Sequence, residues 1–287
     1  MSAVAPSERN ERSASQTALL VAAYRARVTR GAEPLITDHW AEALSGAEGA
    51  ELARQFDAVM PAPELWIAVR TATLDHEIRR VTRAPLGFTQ VVILGAGLDT
   101  RAARLHQRGV TYFEVDHPAT QRDKRNRLQK LAGYPSDAAT FVACDFEHDD
   151  FLDALVAAGF QAAAPAIFVW EGVTMYLPEP VIRSTVRRVT QGCHPQTLLA
   201  FDHFMKKLVY GPERHKDEQT RQFVGKLGER MVFGTNDILP LLYEEGCRYV
   251  ESQSFDEACL SLTGTYARER EFRFQRIVLA SRERPGA

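Results

Sequence analysis

The sequence predicts an α/β fold: a doubly wound, mostly parallel sheet with an antiparallel last strand, preceded by a helical extension. Three observations carry that expectation. Short apolar runs recur at "QVVIL", "TYFEV", "TFVAC", "AIFVW" and "TLLAF", with helix-length segments between them. Such alternation is the pattern of parallel strands joined by crossover helices. From about Ala14 to Arg83 the texture is helical instead: "SQTALLVAAYRARVTR" has an apolar face, and "PELWIAVRTATLDHEIRR" opens with proline and closes in basic residues, as helices do. Finally, a helix around "DILPLLYEEG", a strand "CRYVES" and a last strand "RFQRIVLA" complete the chain, with no helix after the last strand.

These elements divide the chain into a helical extension over 1–87 and a sheet domain over 88–287. Residues 203–233 are charged, punctuated by glycine and follow the carboxyl end of the fifth strand. Ligands of open α/β sheets bind at that edge, so this insertion is expected either to lid the site or to be an ordinary solvated helical segment.

Composition narrows the partners. With 287 residues and 45% hydrophobic content the chain can bury a sizeable core. A formal net charge of only −2, with the two signs interspersed, leaves no footprint of a nucleic-acid or anionic-membrane binder. Cys144, Cys193, Cys247 and Cys259 lie far apart and form no CxxC pair, which predicts buried, reduced thiols in a cytoplasmic protein. "MSAVAPSERNERSAS" is too polar for a secretory signal. The most apolar window, Phe151 to Trp170, is broken by Asp153, Gly159, Gln161 and Pro165 and reads as helix, loop and strand rather than a membrane span.

The chemistry concentrates in "VVILGAGLDTRAARL". A strand runs into a Gly95-Ala96-Gly97 turn, as in a dinucleotide site, but the third glycine position is Thr100, and Asp99 sits where the next helix begins. A carboxylate there takes the free amides and repels a pyrophosphate, so NAD and FAD are disfavoured. A cofactor with an amino-acid tail and a sulfonium tolerates it, and S-adenosyl-L-methionine is one. Asp116 ends the second strand about twenty residues on, where a carboxylate can take ribose hydroxyls. Asp145 and Phe146 end the third strand, placed either for an adenine amino group and ring or, with Glu147, to cap the next helix. Glu171 ends the fourth, with apolar flanks on both sides.

In this order "LGAGLDTRAARL", "FEVDHP", "ACDF" and "FVWEGVTMYL" resemble the leucine carboxyl methyltransferase family, including its tetracenomycin-type polyketide carboxyl O-methyltransferases. "SQTALLVAAYRARVTRGAEPLITDHWA" and "AVRTATLDHEI" extend the resemblance over nearly the whole chain. It implies a seven-stranded Rossmann-like class I methyltransferase sheet binding S-adenosyl-L-methionine. It further implies that Arg70 pairs with the methionine carboxylate, that Gly95 and Gly97 admit the methionine and ribose, and that Asp116 holds the ribose. Asp145 and Phe146 would bind adenine, and Glu171 would lie near the amino group. A guanidinium suits a carboxylate, although taken alone Arg70 reads as a solvated helix residue. The family also uses a basic residue near the N-terminus, for which Arg25 and Arg30 are available.

A carboxylate acceptor, with a pKa near 4, is already nucleophilic at neutral pH and needs no base, whereas a phenol near 10 benefits from one. Asp202 and His203, at the end of the fifth strand, and Tyr176 in "MYLPEP" are the candidates near the acceptor, each with a plain packing alternative. His117 reads as a cofactor-side contact or a cap. The eight histidines show no ligand spacing, so no metal is expected. Lys206, Lys207, Arg214, Lys216 and Arg221 predict an insertion that screens for anionic acceptors, unless Glu213, Asp217 and Glu218 neutralise it locally. The leading expectation is a small-molecule O-methyltransferase acting on an organic acid or polyketide-like compound. A protein C-terminal carboxyl methyltransferase and a non-catalytic cofactor-binding protein are the alternatives.

Overall fold

The computed structural model describes residues 15–146, 148–211, 215–265 and 270–286. Seven strands form one sheet: β1 (Gln90–Leu94), β2 (Thr111–Asp116), β3 (Thr140–Ala143), β4 (Ala166–Trp170), β5 (Leu198–Phe204), β6 (Tyr249–Ser254) and β7 (Gln275–Ser281). Their spatial order is β3-β2-β1-β4-β5-β7-β6. β7 alone runs antiparallel, to β5 on one side and β6 on the other. All seven predicted strands are present, and the antiparallel one is the last.

The central strands β1 and β4 are buried at every position, as expected of parallel strands covered on both faces. Successive side chains point to opposite faces. Val91, Ile93, Ile167 and Val169 therefore pack against α1 (Gln16–Thr29), α2 (Ala41–Asp57, kinked at Gly46) and α3 (Pro63–Thr82) through Leu20, Tyr24, Phe56 and Ile67. Val92, Leu94, Phe168 and Trp170 pack on the other face against Phe151, Ile182 and Leu242. The N-terminal helices thus share one continuous core with the sheet.

The remaining helices are α4 (Arg101–Arg104), α5 (Pro118–Leu128), α6 (Phe151–Ala157), α7 (Glu179–Gly192), α8 (Lys206–Tyr210), α9 (His215–Lys226), α10 (Leu239–Glu244) and α11 (Phe255–Thr263). Two findings correct the sequence reading. β5 runs on to Phe204, so His203 lies within the pleat and the insertion starts after it. A further helix, α11, stands between β6 and β7; its capping box, in which Ser254 and Glu257 exchange hydrogen bonds, ends β6 and starts the helix.

Among the described residues no helix is long and apolar enough to cross a membrane. The four cysteines are free and buried; burial pushes the thiols of Cys144, Cys193 and Cys247 up to about 12, so they are inert at neutral pH.

Candidate active site

A cavity of about 860 Å3 opens at the carboxyl ends of β1 to β4 and continues beneath α1, α3 and the insertion. In the order β3-β2-β1-β4 the succession of strands switches from one side of β1 to the other, which makes the crevice between β1 and β4 the place where open α/β sheets bind ligands. Its size falls within the range of small-molecule and cofactor pockets, about 300–1,000 Å3.

The floor is built by the glycine turn. Gly95 and Ala96 donate to the Val115 carbonyl at 2.8 and 3.2 Å, pinning the turn to β2. Gly95 and Gly97 have φ of +64° and +48°, backbone that favours glycine. A Cβ on Gly95 would sit 2.6 Å from Val173 Cγ2, and one on Gly97 3.0 Å from Ala18 Cβ. Asp116 closes the turn from β2: its Oδ2 accepts from Gly97 N at 2.5 Å and its Oδ1 from His117 N at 2.6 Å. Asp116 lines the cavity, and a carboxylate oxygen can accept more than one hydrogen bond. His117 caps α5, its Nδ1 accepting from Ala119 N at 3.2 Å, and also lines the cavity.

Asp99 borders the cavity, but its carboxylate is committed: Oδ1 accepts from Arg101 N at 2.6 Å and Oδ2 pairs with the Arg101 guanidinium. It therefore occupies the amide a phosphate would need. α4 is only four residues long and offers little dipole. The turn does not fit a pyrophosphate.

Asp145 and Phe146 line the cavity beyond β3. Asp145 Oδ2 lies 3.1 Å from His148 Nδ1 and 4.0 Å from His117 Nε2, and Phe146 packs on Phe151. Asp150, rather than Asp145, caps α6. Glu147 lies outside the described residues.

Glu171 meets Arg70 at the β4 end. Arg70 Nε donates to Glu171 at 2.9 Å, Thr71 Oγ1 donates to the same oxygen at 2.9 Å, and Arg101 Nη2 donates to the other. Burial alone would raise the Glu171 pKa; the Arg101 and Arg70 guanidiniums override it and hold the carboxyl well below its usual range. Arg70 lies over the Trp66 ring at 5.3 Å and 3.6 Å from Asp202. Asp202 accepts from Gly172 N at 2.6 Å and from Gln275 Nε2 at 2.8 Å, so it braces the turn that carries Glu171. An adjacent guanidinium and carboxylate on the cavity wall carry charges opposite to the two of an amino-acid tail, a donor set of the right chemistry for S-adenosyl-L-methionine.

Sequence reading missed the charges behind this wall. Arg101 also donates to Asp75 at 2.7 Å, Arg104 to the same carboxylate at 2.7 Å, and Asp38 holds Arg25 at 2.9 Å. Of the two N-terminal candidates, Arg25 lines the cavity and donates to the Leu98 carbonyl, whereas Arg30 pairs with Glu42 on the surface.

Tyr176 lines the cavity. His203 does not: it is fully buried, its Nδ1 lies 3.3 Å from the Phe204 carbonyl, and its Nε2 meets no partner among the described residues. Burial lowers its pKa to about 4, leaving a neutral ring without access to an acceptor. Among the described residues no group of His, Cys, Asp and Glu is arranged to hold a metal.

A family model described as leucine carboxyl methyltransferase matches residues 18–190. The chain belongs to the leucine carboxyl methyltransferase family. A relative from Mycobacterium tuberculosis (strain ATCC 25177 / H37Ra), provisionally named an S-adenosyl-L-methionine-dependent methyltransferase, is 37% identical over 205 residues, 66% of this chain and 66% of its own length. A crystal structure from Thermobifida fusca, provisionally that of a methyltransferase, superposes with a TM-score of 0.64 at 14% identity, covering 93% of this chain and 95% of its own. Magnesium protoporphyrin IX methyltransferase from Synechocystis PCC 6803, with bound S-adenosylhomocysteine, gives 0.50 at 16% identity, covering 83% and 95%. The family resemblance and the sheet architecture expected from the sequence are therefore met.

Proposed function

We propose that this family member is an S-adenosyl-L-methionine-dependent O-methyltransferase that methylates a carboxylate, or a phenolic hydroxyl, of a small molecule. The observation that carries the reading is a single cavity. It joins the Gly97, Asp116 and Glu171 wall to a chamber of apolar side chains, including Trp66, Met175 and Phe274. Bound there, the cofactor supplies an electrophilic methyl on sulfur to an acceptor oxygen. Asp116 offers acceptors to the ribose, Asp145 and Phe146 offer an acceptor and a ring face to adenine, and Arg70 with Glu171 receives the amino-acid tail. The apolar chamber orients the acceptor and excludes water, the contributions a carboxylate acceptor requires. With His203 away from the cavity, a carboxylate is favoured over a phenol, and Tyr176 is left to orient the acceptor.

A roof tied at two points supports a small acceptor over a protein tail. Glu229 accepts from Ser15 and Thr17 hydroxyls at 2.7 and 2.6 Å, and Val232 and Phe233 amides donate to the Met175 carbonyl at 2.8 and 3.2 Å. The insertion is thereby tied to α1 and to the β4 end across the chamber.

Calorimetric titration with S-adenosylhomocysteine and NAD, followed by transfer of labelled methyl to a panel of aryl carboxylic acids, tests the proposal. Binding of S-adenosylhomocysteine alone and ester formation are expected. NAD binding would overturn the cofactor, and methylation of peptide C-termini but no small acid would overturn the acceptor.

A further inference from the structure

The basic residues that the sequence offers as an anion screen are not the ones facing the chamber. Lys206 and Lys207 are exposed and off the lining, and Arg221 spends its guanidinium on the Leu208 carbonyl at 2.7 Å. Arg214 and the side chain of Lys216 lie outside what the structure describes. The described cations that do line the cavity are Arg25, Arg70 and Arg230. Arg25 is matched by Asp38, and Arg70 by Glu171 and Asp202. Arg230 has no acid within ion-pair distance among the described residues, and it is an exposed residue of the cavity lining.

Its backbone is held in place although, among the described residues, its charge meets no acid. The preceding residue, Glu229, is anchored to α1, and the amides of Val232 and Phe233 are anchored to Met175. Glu229 is itself engaged by Ser15 and Thr17, so the neighbouring carboxylate does not fold back onto Arg230. A cation is thus held on a tied roof above a wall of apolar and aromatic side chains.

We infer that Arg230 reads a second, anionic group on the acceptor, distinct from the oxygen that is methylated. The acceptor class is then an amphipathic one: an apolar, ring-bearing body with a nucleophilic oxygen at the cofactor end and an acid at the other. A guanidinium recognises a carboxylate in two parallel hydrogen bonds, which gives orientation as well as affinity. Separating the two oxygens also removes a conflict, because a guanidinium bound to the reacting carboxylate would withdraw the electron density needed for attack.

This inference rests on the methyltransferase reading of the cavity, and its test keeps the two apart. With protein saturated by S-adenosylhomocysteine, terephthalate, naphthalene-2,6-dicarboxylate and biphenyl-4,4'-dicarboxylate are each titrated beside their monoamides. In the native chain the diacid of at least one span is expected to bind about five- to tenfold tighter than its monoamide, between the values of an exposed ion pair and a partly desolvated one. Arg230→Gln should reduce that preference to about twofold or less, Arg230→Lys should retain part of it, and the affinity for S-adenosylhomocysteine should be the same in all three. A preference undiminished in Arg230→Gln, or no preference at any span, overturns the assignment. Failure of S-adenosylhomocysteine to bind the native chain overturns the reading beneath it.

Discussion

His203, buried in β5 with a ring pKa of about 4, makes a prediction about stability rather than turnover. Its folded pKa lies below the unfolded value near 6.5, so the unfolded chain takes up the proton first. The stability it contributes is full above pH 6.5 and is lost as pH falls toward 4. Relative to His203→Phe, the native chain should lose on the order of 3 kcal/mol across that window, read by urea unfolding at several pH values. Arg101 is a second test. It touches Asp75, Asp99 and Glu171 while 1% exposed; Arg101→Met would leave buried acids unpaired at a cost of about 3–5 kcal/mol, and a loss below about 1 kcal/mol would show that the network is not held this way. The placement of Gly95, Gly97 and Asp116 on the cavity floor was legible in the sequence because it is set within a strand and its turn. The roles of Arg25 and Arg101 were not, since their acids lie on other elements and an isolated arginine on a helix reads as solvated.

At the scale of elements, strands were read well because each is a short apolar run between turn signals. The end of β5 was not, since "DHF" puts two polar residues inside a buried strand. α11 was also missed, although "SFDE" carries its capping box. Ser254→Ala should lower stability by about 1 kcal/mol, seen as a reduced thermal midpoint with no change in cofactor affinity. The roof has its own signature: Glu229→Ala removes the tie to Ser15 and Thr17. Hydrogen exchange at Val232 and Phe233 should then accelerate several-fold while the amides of β1 keep their protection. Unchanged exchange would place the tie elsewhere.

For the molecule as a whole, the continuous core across α1, α2, α3 and the sheet predicts that residues 15–87 cannot be detached from the sheet without loss of its packing. A chain beginning at 88 would expose the face of Val91, Ile93, Ile167 and Val169; it should lack a cooperative unfolding transition and bind apolar dyes, the marks of lost packing. A cooperative transition in that chain would refute the shared core. The position of β7 has a different consequence, for how the molecule is made. β6 leaves the ribosome before β7, yet among the described residues its only strand neighbour is β7, which also covers the outer side of β5. Until β7 emerges, the outer edge of β5 and both edges of β6 are without a strand partner, and each can template pairing with another chain. A translational pause before β7 would therefore leave the polypeptide at its most dependent on a chaperone.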